Sequence, residues 1–337
     1  MTRKVTIALD AMGGDRGPEV VVPAALAVLE RDDSVKLILV GLPNLLAAVE
    51  EKVQGRFGSR LICKPATEVV AMDEPPADAL RHKKDSSLRV AIGLVKDGTA
   101  DACVSAGNTG ALMATAKYVL KMLPGIDRPA IITELPAIGG TLHMLDLGAN
   151  TQCSAEHLFQ FAVMGSIVTA DITGIESPKI ALLNIGAEDT KGHDTVREAA
   201  AMLNASSLNY VGFIEGNEIF SGKADVVVTD GFTGNVALKT MEGTAGLVAR
   251  TLRRAFARNL ATRIQAFLAA PVLKRFAIEM DSRNYNGASL VGLNGIVIKS
   301  HGSADSIAFQ HAIETALVEV RKQVPQQIGN LLQQEAA

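Results

Sequence analysis

The stretch Val5-Thr6-Ile7-Ala8-Leu9-Asp10-Ala11-Met12-Gly13-Gly14-Asp15-Arg16-Gly17-Pro18-Glu19-Val20-Val21-Val22 decides the fold class. Its first five residues are apolar or β-branched without strict alternation, as in a strand covered on both faces. Two glycines follow, then a proline where a helix would begin. Strand, glycine turn and helix make half of a βαβ unit, and the order returns along the chain. Strand-like runs lie at Val5 to Leu9, Val35 to Val40, Ala102 to Ser105, Ala130 to Thr133, Leu142 to Leu147, Ile180 to Ile185, Tyr210 to Ile214, Val226 to Thr229 and Gly295 to Lys299. Helical patterns cover Pro18 to Glu30, Leu42 to Val53, Asp85 to Lys96, Gly110 to Leu123, Ala155 to Ala170, Thr195 to Asn204, Asn235 to Leu260 and Ser303 to Lys322. This alternation predicts an α/β fold, a largely parallel sheet with flanking helices and right-handed crossovers.

The 337 residues are 48% hydrophobic and 20% charged, enough for a substantial core. No repeat or low-complexity linker divides them. Residues 1–325 read as a single catalytic unit, of one or two lobes, with a projecting arm at 243–280 and a tail at 326–337. Mean hydropathy is high at +0.21, yet no apolar run nears the roughly 18 residues of a membrane span. The opening MTRKVTIALD runs straight into a strand with no signal-peptide pattern, so a cytoplasmic location is expected. Cys63, Cys103 and Cys153 lie too far apart for a zinc ribbon and are expected as reduced, buried thiols. A net charge of -3 excludes a globally basic nucleic-acid binder.

Glycines cluster where strands hand over to helices, at Gly13-Gly14, Gly107, Gly110, Gly148, Gly186, Gly231, Gly234 and Gly302. In an open α/β sheet such carboxyl-end loops bind ligands. The chain has no G-x-G dinucleotide fingerprint, complete P-loop, G-x-S-x-G elbow or HExxH pair. What remains is a set of Gly- and Asn-rich helix starts with nearby lysines, which suits an anion such as phosphate.

Six segments make the reading specific: DAMGGD from Asp10, VSAGNTGALMA from Val104, LDLGAN from Leu145, NIGAE…KG from Asn184, DVVVTDGFTGNVALK…EG from Asp225 and GLNGIVIKSHGSAD from Gly292. In this order, from Asp10 to Asp305, they resemble the bacterial phosphate acyltransferases of phospholipid synthesis. The resemblance implies transfer of a long-chain acyl group from acyl-acyl carrier protein to inorganic phosphate, giving acyl-phosphate, without metal or other cofactor. It also implies a fold like those of the phosphotransacetylases and the isocitrate and isopropylmalate dehydrogenases, a homodimer, and peripheral contact with the inner face of the membrane. There the product would pass to a membrane glycerol-3-phosphate acyltransferase. On this reading Lys299 and Lys191 clamp phosphate, and His301 serves the oxyanion or the leaving thiolate. Asp10, Gly13, Gly14, Ser105, Asn108, Thr109, Asn184, Asp230 and Asn235 would bind or position substrate; the competing reading makes Asn108 or Thr109 the cap of the next helix and Asp10 and Asp230 holders of their own turns.

From Gly243 to Ile278 seven residues are basic and none is acidic. Arg250, Arg253, Arg254 and Arg258 share one helical face, and Phe267 and Leu268 lie in an apolar segment broken by Pro271. Such an arm suits docking of an acidic carrier protein, an anionic membrane surface or a dimer interface. Two other activities compete with the first reading: a phosphotransacetylase using acyl-coenzyme A, and a metal- and NAD-dependent decarboxylating dehydrogenase. A non-catalytic membrane scaffold is the remaining alternative.

Overall fold

Among the described residues eleven strands form one continuous sheet: β1 (Val5–Asp10), β2 (Val35–Gly41), β3 (Leu61–Pro65), β4 (Ala102–Ser105), β5 (Ala130–Ala137), β6 (Gly140–Leu145), β7 (Ile180–Leu183), β8 (Tyr210–Ile214), β9 (Val226–Val228), β10 (Ala288–Val291) and β11 (Ile296–Lys299). Their spatial order is β3-β2-β1-β4-β11-β10-β5-β6-β9-β7-β8. The computed structural model describes residues 4–279 and 281–335. Residues 1–3 of the expected catalytic unit, 280 of the expected arm and 336–337 of the tail lie outside the described residues.

The sheet is mixed at its centre and parallel on both wings. β3, β2, β1, β4 and β11 run one way. β10 opposes both β11 and β5, and β5 opposes β6, so β6, β9, β7 and β8 run the other way. The reversal includes a two-residue hairpin, Ile138-Gly139, in which Gly139 takes a φ of 89°. The sequence reading did not join these two strands. It also missed β3, a short edge strand ending in proline, and β10, which carries the buried polar Ser289.

The described residues form twelve helices: α1 (Pro18–Arg31), α2 (Pro43–Val53), α3 (Pro76–His82), α4 (Ser87–Lys96), α5 (Thr109–Leu120), α6 (Ala155–Thr173), α7 (Asp194–Asn204), α8 (Gly231–Ala257), α9 (Leu260–Leu268), α10 (Ala270–Glu279), α11 (Ser306–Lys322) and α12 (Val324–Glu335). One face is covered by α1, α2 and α11 on the first wing and by α6, α7 and α12 on the second. Across the other face a single core joins Leu88 and Ile92 of α4, Leu112 and Ala116 of α5, Leu142 and Met144 of β6, and Leu238 and Met241 of α8. Leu238 and Met241 seat the first half of α8 on this core, next to β6. The later turns leave the body: α9 packs against α8, and α10 against α9.

Of the three cysteines only Cys103 is buried, whereas Cys63 and Cys153 are half-covered. Partial burial still pushes both of these thiols up to about 11, so they stay protonated at neutral pH. Cys63 lies on the edge strand β3, which has a neighbour on one side only.

Candidate active site

Three carboxyl-end turns converge on one edge of the first wing. The β11–β4 register sets Lys299 opposite Ser105, and the β1–β4 register carries Asp10 alongside. Ser105 Oγ donates to Asp10 Oδ2 at 2.7 Å and accepts from Gly107 N at 3.0 Å. Burial raises the Asp10 carboxyl, while hydrogen bonds from Ser105, Ser87 and the Met12 and Gly13 amides oppose the rise. Gly13 has no room for a side chain: an added Cβ would sit 2.7 Å from both Asp10 Oδ2 and Gly107 N. The backbone of the first turn is thereby pressed against that of the second.

Lys299 is the chemical centre of this arrangement. Only 9% of it is exposed, and its Nζ donates to the carbonyl oxygens of Ala106 and Ser300 rather than to a carboxylate. Burial pushes its pKa from the usual 10.5 down to about 8, with Asp10 and Asp15 opposing and Lys239 adding to the drop. His301, exposed at the mouth, is held below its ordinary value by partial burial and by the charge of Lys239. Its Nδ1 lies 2.8 Å from Ser303 Oγ.

Helix α8 supplies the facing wall. Asn235 and Lys239 fall one turn apart on it, followed by Glu242, which pairs with Lys239 at 2.8 Å. At the start of the helix Gly234 and Gly148 bring the backbone close. A Cβ on Gly234 would meet Asp146 O, and one on Gly148 would lie 3.6 Å from Asn235 Cβ. Lys239 was missed by the sequence reading, although the spacing of Asn235 and Lys239 on a helix leaving a glycine loop was a usable signal.

Several expected ligand contacts prove to hold the loops themselves. Asn108 caps α5: its Oδ1 accepts from Ala111 N at 2.9 Å, and its Nδ2 donates to Met72 O and Glu74 O. Thr109 is the exposed first residue of that helix. Asp230 caps α8 by accepting from Phe232 N and Thr233 N, both at 2.9 Å. The reason is general, since the first N–H groups of a helix lack partners and a preceding Asn or Asp supplies them. Asn184 accepts from Ile185 N and donates to Lys191 O, closing the loop after β7. Lys191 is exposed on that loop, and four strands separate β7 from β11, about 24 Å at ordinary strand spacing. The structure thus gathers Asp10, Gly13, Gly14, Ser105, Asn108, Lys299 and His301 around one cleft, places Asn235 beside Gly148, and sets Asn184 and Lys191 apart.

The arm is three helices rather than one helix and a tip. Asn259 caps α9, and the apolar segment breaks beside Pro271 as expected, α9 ending at Leu268 and Pro271 standing in the first turn of α10. Arg250, Arg253, Arg254 and Arg258 are exposed, and so are Phe267 at 77% and Leu268 at 73%. Among the described residues no helix is long and apolar enough to cross a membrane. Nor do the described residues contain a group of three or more His, Cys, Asp or Glu arranged to hold a metal.

Residues 5–327 match the family described as fatty acid synthesis protein. A phosphate acyltransferase of Alkalilimnicola ehrlichii is 61% identical over 333 residues, spanning 99% of this chain and 97% of its own. One from Nitrosococcus oceani is 59% identical over 325 residues, 96% of each chain. In fold, a phosphotransacetylase from Streptococcus pyogenes superposes with a TM-score of 0.62 at 21% identity, covering 95% of each chain. With matches of this extent, the chain belongs to the phosphate acyltransferase family of lipid synthesis and is an enzyme of that class.

Proposed function

We propose that this enzyme transfers a long-chain acyl group from an acyl carrier protein thioester to inorganic phosphate, producing acyl-phosphate for phospholipid synthesis. The observation that carries the reading is the buried seat of Lys299 beside the Gly13 and Gly107 turns, where Nζ bonds two carbonyls and no carboxylate. A cation kept dry and bonded only to carbonyls is ready to exchange those bonds for phosphate oxygens. The start of α5, the backbone amides of the two glycine turns and Lys239 surround the same space.

The chemistry asks little acid–base work of the protein. A hydrogen-phosphate oxygen attacks the thioester carbon, the tetrahedral adduct collapses and the C–S bond breaks. The proton that phosphate carried ends on the departing thiolate. His301, held neutral near pH 7, would relay it between oxygen and sulfur. A thiol of pKa about 8.5 leaves readily. The remaining barrier is the entropy of joining two reactants and the charge of the adduct, which Lys299 and the backbone amides address. Asp10 and Ser105 shape the floor, and Asn108 and Asp230 fix the helix starts.

The exposed arginines of α8 fit an acidic carrier protein. The exposed apolar residues of α9 and α10 fit a second copy or the inner membrane face. We therefore assign the enzyme to the cytoplasm as a homodimer touching the membrane, where a glycerol-3-phosphate acyltransferase would take the product.

The test is hydroxylamine trapping of acyl-phosphate with three donors side by side: palmitoyl-acyl carrier protein, palmitoyl-coenzyme A and acetyl-coenzyme A. Trapped product chiefly from the carrier thioester is the expected result. Product from acetyl-coenzyme A alone would reassign the enzyme to phosphotransacetylase chemistry, and no product would leave the scaffold reading.

A further inference from the structure

The segment that returns from the arm runs straight into the active site. Arg283 pairs with Asp281 at 2.6 Å and reaches Asp305 at 3.2 Å, and Asp305 caps α11 through Ala308 N. Three residues on, Asn286 makes three bonds. Its Oδ1 accepts from His301 N at 2.9 Å, and its Nδ2 donates to Ser300 Oγ at 2.9 Å and to Ala308 O at 2.7 Å. Ser300 and His301 are the two residues after Lys299. The backbone has little freedom at this point, since Gly287 takes a φ of 118° and an added Cβ there would lie 2.9 Å from Ala312 Cα.

We propose that Asn286 is a positioning residue for the reaction, one that fixes the Ser300–His301 turn and so keeps Lys299 in its dry seat and His301 at the cleft mouth. Arg283 ties the arm's return to Asp305 at the start of α11, but it is the Asn286 side chain that bonds Ser300 and His301 themselves. The Ser300 amide is separately held by Ser105 O at 2.9 Å, which anchors the strand end but not the side of the turn facing the cleft. With Asn286 removed, the His301 amide loses its partner, Ser300 Oγ loses the bond it accepts, and the Ala308 carbonyl keeps only its helical bond; the turn loosens and water reaches Nζ. The charges facing Lys299 are Asp10 of β1, Asp15 of the following turn and Lys239 of α8; His301 also faces it, but burial holds that imidazole below its ordinary value and so uncharged at the pH of the titration. None of them changes in the variant, so a change in Lys299 reports hydration.

The inference rests on the role given to Lys299 above, and its test has a readout that needs no turnover. Lys299 is titrated in the full-length enzyme by its pH-dependent acylation with acetic anhydride, read by mass spectrometry, in the parent, Asn286→Ala and the milder Asn286→Ser. Urea unfolding identifies the variants that fold. The parent midpoint is expected near pH 8, and in Asn286→Ala it should rise by about one pH unit or more towards the ordinary lysine value of about 10.4. In parallel kcat should fall at least about tenfold, while KM for the carrier thioester stays within about twofold. A folded variant with an unmoved midpoint, or with kcat within about threefold of the parent, overturns the proposal. A parent that forms no acyl-phosphate would refute the proposed reaction instead, and the titration would still decide the role of Asn286.

Discussion

Replacing Lys299 with methionine should make the protein more stable at neutral pH and less stable at high pH. Unfolded, the lysine keeps its proton up to the usual 10.5; folded, it loses the proton at about 8. Between those values the unfolded chain binds more protons than the folded one, so parent stability rises with pH across that window. Below pH 8 the whole difference opposes folding. A drop of about 2.5 pH units, at roughly 1.4 kcal/mol per unit, comes to about 3 kcal/mol. Methionine fills a similar volume without charge but strips the donor from the Ala106 and Ser300 carbonyls, at about 1 kcal/mol each. The net expectation is a gain of about 1 kcal/mol at pH 7 that becomes a deficit of about 1 kcal/mol at pH 10. Urea unfolding of parent and variant at pH 7, 8, 9 and 10 measures it. A stability difference that stays constant within about 1 kcal/mol over this range would refute the account of Lys299 as a buried charge tolerated for function.

Other substitutions probe the turns and the arm. Gly13→Ala forces a Cβ to within 2.7 Å of Asp10 Oδ2 and Gly107 N; urea unfolding should show a loss of about 1–3 kcal/mol, with acyl-phosphate formation down at least about tenfold. Asp230→Ala removes the two cap bonds of α8 and should lower stability by about 0.5–2 kcal/mol in the same assay, with a smaller kinetic effect than any change at Lys299. Changing Arg250, Arg253, Arg254 and Arg258 together to alanine should raise KM for the carrier thioester and flatten its salt dependence. It should leave kcat within about twofold, as steady-state rates at 50 and 200 mM salt would show.

Much of the frame was legible in the sequence because parallel strands buried on both faces read as unbroken apolar runs. Val5 to Leu9, Ala102 to Ser105 and Gly295 to Lys299 mark β1, β4 and β11 almost to the residue. The antiparallel centre was not legible. Ala130–Ala137 and Gly140–Leu145 are joined by Ile138-Gly139, and no strong turn pair such as Asn-Gly advertises that hairpin. The glycine loops located the cleft, and Lys299 stood out as a lysine ending an apolar strand. What one-dimensional reading could not decide was which of two claims on the same polar atoms wins, capping or ligand binding. Asn108, Asn184 and Asp230 look like ligands in sequence, yet helix starts and loop closure claim them first. Conversely Lys239 and Asn286 gain their places only when α8 and the return of the arm are folded against the β11 turn.

The most direct test of the central claim is the initial rate of acyl-phosphate formation from acyl carrier thioester and phosphate, with Lys299→Ala and Lys191→Ala compared against the parent. The account predicts a loss of about a hundredfold or more at Lys299, the size expected when a charge that stabilises a transition state is removed, and a much smaller loss at Lys191. A Lys299→Ala variant that folds and keeps the parent rate would contradict it.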